Sequence, residues 1–132
     1  MPSKESVLVN GCIRWLWNAG VFCWRNNTGG AYLPGHGGKK QFVRFGVKGG
    51  SDILGVLRPS GRLLAIECKV APNKPTREQA DFLREVILNG GVARVVYSLE
   101  QLVELMREIK YGLVRAADCD GDGITGRKAD AP

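Results

Sequence analysis

Acidic residues stand inside or beside two apolar runs of this chain, where an unpaired carboxylate is costly to bury. Asp52 opens Ile53-Leu54-Gly55-Val56-Leu57, while Glu67 and Lys69 close Leu63-Leu64-Ala65-Ile66. Side chains alternate along a strand, so Glu67 and Lys69 share one face and Leu64, Ile66, Cys68 and Val70 take the other. A carboxylate on each of two adjacent strands, with a lysine two residues on, is the set a magnesium-dependent phosphodiester hydrolase needs. Asp52, Glu67 and the Cys68 backbone carbonyl would hold Mg²⁺ or Mn²⁺, with Glu5 joining directly or through water. Magnesium takes oxygen ligands at about 2.0–2.1 Å and keeps several waters. Such an ion polarises a phosphate oxygen and acidifies a bound water. Lys69, flanked by carboxylates, stays protonated and would orient the attacking water or stabilise charge developing at phosphorus. The competing reading is a plain solvated ion pair between Glu67 and Lys69.

Positioning these groups requires particular elements. Residues 3–19 form an expected helix, capped by Ser3 and stopped by Gly20, with Leu8, Cys12, Trp15, Leu16 and Ala19 as its apolar stripe. Glu5 falls on that stripe and points inward at the helix mouth, where a first-turn acid also suits the dipole. Strands are expected at 21–26, 41–47, 52–57, 62–70 and 92–97, with a mobile glycine-rich loop over 27–40. Helices follow at 76–89 and 98–109, the second capped by Ser98. Pro59-Ser60-Gly61 turns the chain between 52–57 and 62–70. A loop of two or four residues there sets Asp52 opposite Glu67; a three-residue loop turns Asp52 to the other face. The expectation is an α/β fold, a central mixed β-sheet flanked by helices in the order αβββαβα, with parallel pairing across the 70–92 crossover.

At 132 residues the chain fits one domain, taken as 1–112, followed by a flexible tail at 113–132. No run approaches the roughly 18 apolar residues of a membrane span, and the first residues lack a signal peptide's apolar core, which predicts a cytoplasmic protein. The net charge of +6 and pI near 9.4 favour a polyanionic partner. Cysteines 12, 23, 68 and 119 lack close pairing and read as reduced, buried side chains.

Taken together, the motifs resemble the PD-(D/E)XK nuclease superfamily and, within it, the virus-type replication-repair nuclease (VRR-NUC) domain. The resemblance covers about residues 5–102: Glu5, Arg25-Asn26-Asn27, Phe45-Gly46-Val47-Lys48-Gly49-Gly50-Ser51-Asp52, Gly61-Arg62, Ile66-Glu67-Cys68-Lys69, Thr76-x-x-Gln79-x-x-Phe82-Leu83 and Gly90-Gly91-Val92-Ala93. Ser51 stands where the superfamily's name has proline. The resemblance implies a metal-dependent DNA endonuclease with Glu5, Asp52, Glu67 and Lys69 in catalysis and Gln79 beside them. It further implies a stand-alone, phage-like homodimer acting on four-way (Holliday) junctions. A flap or restriction-type enzyme, or a non-catalytic DNA-binding module of the same fold, is the alternative.

Candidate DNA contacts are Arg25, Asn26, Asn27, Lys39, Lys40, Arg44, Lys48, Lys74 and Arg77, all from loops or strand ends. Phosphate contacts of this kind give affinity that falls steeply with salt, and no recognition helix suggests base reading. Trp15, Trp17 and Trp24 read as packing residues of the core or a dimer interface, and His36 lacks a catalytic partner. Asp118, Asp120 and Asp122 begin like a calcium loop, but Ala129 stands where the closing glutamate belongs.

Overall fold

The computed structural model describes residues 1–27, 29–110 and 112; the acidic stretch at 118–122 and the expected flexible tail lie outside them. Helix α1 (Lys4–Asn18) starts where the Ser3 hydroxyl accepts the Ser6 N–H at 3.1 Å and buries Val9, Cys12, Ile13 and Leu16. The apolar stripe is thus turned slightly from the expected one. Ala19 is exposed, Trp15 is half-buried, and Glu5 is half-buried at the helix mouth.

Strands β1 (Phe22–Arg25), β4 (Ile53–Val56), β5 (Leu63–Cys68) and β6 (Val92–Val96) form a mixed sheet in the order β1-β4-β5-β6. The first three pair antiparallel and β5 pairs parallel with β6. A parallel pair needs a crossover, supplied by α2 (Arg77–Leu88). Helix α3 (Leu99–Lys110) follows β6, its first turn held by Ser98 Oγ accepting the Gln101 N–H at 3.2 Å.

Alternation along β5 divides the core in two. Leu64, Ile66 and Cys68 pack with α1 and α3, against Leu16, Leu102 and Leu105. Ala65 turns to α2, against Leu83, Val86 and Ile87. Full burial of a leucine or isoleucine contributes roughly 1.5–3 kcal/mol, so both faces of β5 are firmly held. Cys12, Cys23 and Cys68 are buried and free, as expected of a reduced chain. Behind β5 the interaction between the buried Cys12 and Cys68 thiols pushes the Cys68 thiol up and the Cys12 thiol down.

One expectation fails. Residues 27–40 do not form a simple loop, because β2 (Gly29–Pro34) pairs antiparallel with β3 (Lys40–Phe45) as a separate two-stranded ribbon. The strand expected at 41–47 therefore lies outside the central sheet. β2 opens on two adjacent glycines and has no buried residue, so it lacks the alternating apolar pattern by which a half-buried strand is recognised.

Candidate active site

The hairpin settles the face on which Asp52 sits. Leu57 N–H donates to the Arg62 carbonyl at 2.8 Å and Gly61 N–H to the Leu57 carbonyl at 2.7 Å, leaving the four-residue loop 58–61. The ladder Ile53↔Ile66, Leu54↔Ala65 and Val56↔Leu63 then carries Asp52 opposite Glu67. Asp52 Oδ2 accepts the Cys68 N–H at 2.8 Å, extending the pairing by one side-chain bond. An N–H and C=O of one strand residue leave on the same edge, so the Cys68 carbonyl also points toward Asp52.

Asn26 anchors the other flank of Asp52. Its N–H donates to the Asp52 carbonyl at 2.8 Å and its Nδ2 to the Ser51 carbonyl at 3.0 Å. Ser51 is fully buried and its hydroxyl lacks a hydrogen-bond partner.

Glu67 is 1% exposed. Its Oε1 accepts from Gln79 Nε2 at 2.9 Å and lies 3.8 Å from Lys69 Nζ, whereas the buried Oε2 has no hydrogen-bond partner. Burial, then the nearby Asp52 charge, pushes the Glu67 carboxyl up to about 8, although Lys69 pulls it down and Glu5 adds a smaller push.

A cavity of about 370 Å³ opens beside Asp52, walled by Glu5, Ser3, Ser6, Arg25, Val70 and Asn73. Among the described residues no three His, Cys, Asp or Glu side chains cluster as a ligand set by themselves. The donors nonetheless fit a hard divalent cation. Glu67 Oε2 lacks a partner, Asp52 stands opposite Glu67 across the hairpin, a main-chain oxygen is aimed at the same edge, and magnesium completes its shell with water.

The expected DNA contacts are dispersed. Arg25 lines the cavity and reaches Asn10 Oδ1 at 3.4 Å. Asn26 is turned inward by its bond to Ser51, a role that no motif in the sequence signals. Asn27, Lys74 and Arg77 are exposed, and Lys48 is exposed but pairs with Glu78 at 3.6 Å. Lys39, Lys40 and Arg44 belong to the ribbon, as does exposed His36 at its tip. Trp17 and Trp24 are not core residues: both are exposed, and Trp17 Nε1 donates to the Cys23 carbonyl at 2.9 Å.

Thr76, not among the expected site residues, shapes the site through Gln79. Its hydroxyl accepts the Gln79 N–H at 3.2 Å and its own N–H donates to Gln79 Oε1 at 2.9 Å. Thr76-x-x-Gln79 has the capping-box spacing, so this role was open to a reading of the sequence.

A larger cavity, about 680 Å³, lies near the other end of α2 between Arg62, Leu63, Phe82 and Val86. Its guanidinium is committed to structure: Arg62 Nε donates to the Gly90 carbonyl at 2.6 Å. The smaller cavity is the one that brings the carboxylates of Glu5 and Asp52 to a common wall.

Among the described residues no helix is long and apolar enough to cross a membrane. No family model matches the sequence, and no curated protein matches it.

Proposed function

We propose that the chain is a Mg²⁺- or Mn²⁺-dependent endonuclease that hydrolyses phosphodiester bonds in branched DNA. The observation that carries this reading is the convergence of Asp52, Glu67 and Lys69 on one face, with a buried Glu67 oxygen left without a donor. Support also comes from the order of the sheet elements. With the ribbon set aside, the chain runs α–β–β–β–α–β–α, the order expected from the sequence.

Asp52, Glu67 and the Cys68 carbonyl would hold the ion, with Glu5 reaching it directly or through water. The bound cation would supply an acidified water and a polarised phosphate oxygen. Gln79 orients the Glu67 carboxylate by donating to Oε1, which leaves Oε2 for the ion. Lys69 sets an ammonium beside the reacting phosphate, where added negative charge in the transition state is stabilised. Arg25 and the basic ribbon would hold the phosphate backbone. Two cuts across a four-way junction require two sites, so we propose a homodimer.

A labelled four-way junction incubated with Mg²⁺, against an EDTA control, tests the reading. Metal-dependent product is expected from wild type, and none from Asp52→Asn, Glu67→Gln or Lys69→Ala, all three still binding the junction. Normal cutting by any of these variants refutes the assignment. Tight binding without product from any branched, flapped or linear substrate marks a non-catalytic module, and discrete cuts in plasmid DNA mark a restriction-type enzyme.

A further inference from the structure

The positive charge of this chain is not spread over it. Between Glu5 and Asp52 there is no Asp or Glu, but there are six Lys and Arg residues; setting those six aside leaves thirteen basic residues against all thirteen acidic ones. The net charge of +6 therefore belongs to this one segment.

The β2–β3 ribbon lies inside it. None of its described residues is buried, so neither face packs on the core. A lone two-stranded ribbon is marginally stable in water, which leaves both faces open to a partner. Register and alternation put Arg44, Tyr32, Phe42 and Lys40 on one face. The Phe42 ring covers Gly30, where a Cβ would meet it at 2.2 Å. Tyr32 meets Phe42 edge-on at 5.1 Å between centroids, and the Arg44 guanidinium lies 5.9 Å from the Phe42 centroid. The face is a strip of cation, ring, ring and cation, with Tyr32 70% exposed.

Its root is the candidate active site. Asn26, just before the ribbon, pairs with Asp52, just after the return. From there six residue pairs extend about 20 Å. B-DNA's major groove, about 12 Å wide, admits a two-stranded ribbon.

We infer that the ribbon is an arm that grips DNA beside the cut, with Lys40 and Arg44 on phosphates and the Tyr32–Phe42 pair against unstacked bases at the branch. Base–aromatic stacking is indifferent to sequence, which suits recognition of shape. The choice of DNA rests on the nuclease reading. A second copy is the poorer occupant, because a two-fold contact would set this basic strip against itself.

The test is fluorescence anisotropy of the full chain on a labelled four-way junction in EDTA, between 50 and 200 mM salt. Lys40→Ala/Arg44→Ala should lower affinity about tenfold and make the slope of log K against log salt shallower by about 1.8, at 0.9 per lost phosphate contact. Tyr32→Ala should lower affinity roughly fivefold or more with the slope unchanged. Circular dichroism confirms the fold of each variant, and charge-reversed Lys40→Glu/Arg44→Glu should bind more weakly still. Wild-type affinity in the charge-reversed chain overturns the arm, and so does a changed sedimentation coefficient with DNA affinity intact, which would mark a self-association surface. The readout needs no cutting. A chain that never cuts yet loses binding in these variants keeps the arm and defeats the nuclease; normal cutting with unchanged affinity does the reverse.

Discussion

Gln79 joins the first turn of α2 to Glu67 through both ends of one amide: Oε1 accepts the Thr76 N–H at 2.9 Å while Nε2 donates to Glu67 Oε1 at 2.9 Å. Rotating the amide by half a turn would set donor against donor at the cap and oxygen against oxygen at the carboxylate. The helix cap therefore orients the site. Gln79→Ala removes both bonds and should destabilise the protein by about 1–2 kcal/mol. Gln79→Glu can still accept at the cap but sets another carboxylate against Glu67. It should keep its urea midpoint near wild type yet cut at least about tenfold more slowly in Mg²⁺ at pH 7, since one pKa unit of further shift corresponds to a factor of ten. Equal losses of stability and activity in the two variants would mean that the amide acts only as a cap.

Raising the Glu67 carboxyl from 4.5 to about 8 has a definite sign. Between those values the folded chain holds a proton that the unfolded chain has released. Metal-free stability should therefore fall as pH rises from about 4.5 to about 8 and level off beyond, by a few kcal/mol at most. A divalent ion needs the ionised carboxylate, so its binding displaces that proton. The rise in Tm on adding Mn²⁺ should grow from pH 6 to pH 8, and cleavage should climb over the same interval to a plateau. Thermal melts with and without metal check both slopes. If Glu67→Gln melts with the wild-type pH dependence, another group is responsible.

These bonds show how far the sequence speaks. The hairpin register follows from a four-residue loop between Leu57 and Arg62, and it alone sets Asp52 across from Glu67. Loops of two, three or four residues were open to the sequence because Pro59, Ser60 and Gly61 suit several turns. The helices were legible from apolar residues recurring at three and four positions. One strand of the ribbon, β3, was legible at 41–47; its partner β2 was not, because a strand with neither face buried carries no alternation. Nor was Asn26, whose inward turn depends on carbonyls at positions 51 and 52 that meet it only in the folded sheet.

Arg94 on β6 points into the layer beneath α3, where its Nη2 lies 3.6 Å from Glu108 Oε2. Both side chains are largely removed from water and Arg94 Nε lacks a hydrogen-bond partner. Removing one partner of a buried pair strands the other charge, so Glu108→Ala should destabilise by about 3 kcal/mol. Arg94→Met/Glu108→Leu, apolar at both positions, should recover most of that loss. Urea unfolding of the two variants is the comparison, and a double variant as unstable as the single one would show that the ionic pair itself holds α3 in place.

Gly49 lies on the approach to Asp52 with φ +76°, and a Cβ there would come within 2.4 Å of the Glu78 carbonyl oxygen in the first turn of α2. That neighbour is backbone, one residue before Gln79, so it cannot swing away. Gly61 shares the left-handed conformation, φ +75°, but a Cβ there meets open space. Gly61→Ala should therefore cost only about 1–2 kcal/mol of conformational strain. Gly49→Ala adds displacement of the Ser51-Asp52 segment relative to α2, and hence of Asp52 relative to the Glu67–Gln79 pair. A misplacement near 1 Å lowers rates on the order of a hundredfold. Cleavage by Gly49→Ala should fall by about that factor while junction affinity in EDTA changes little, whereas Gly61→Ala should cut almost normally at a temperature where both remain folded. Equal activities would show that the contact between Gly49 and α2 does not set the geometry of the carboxylates.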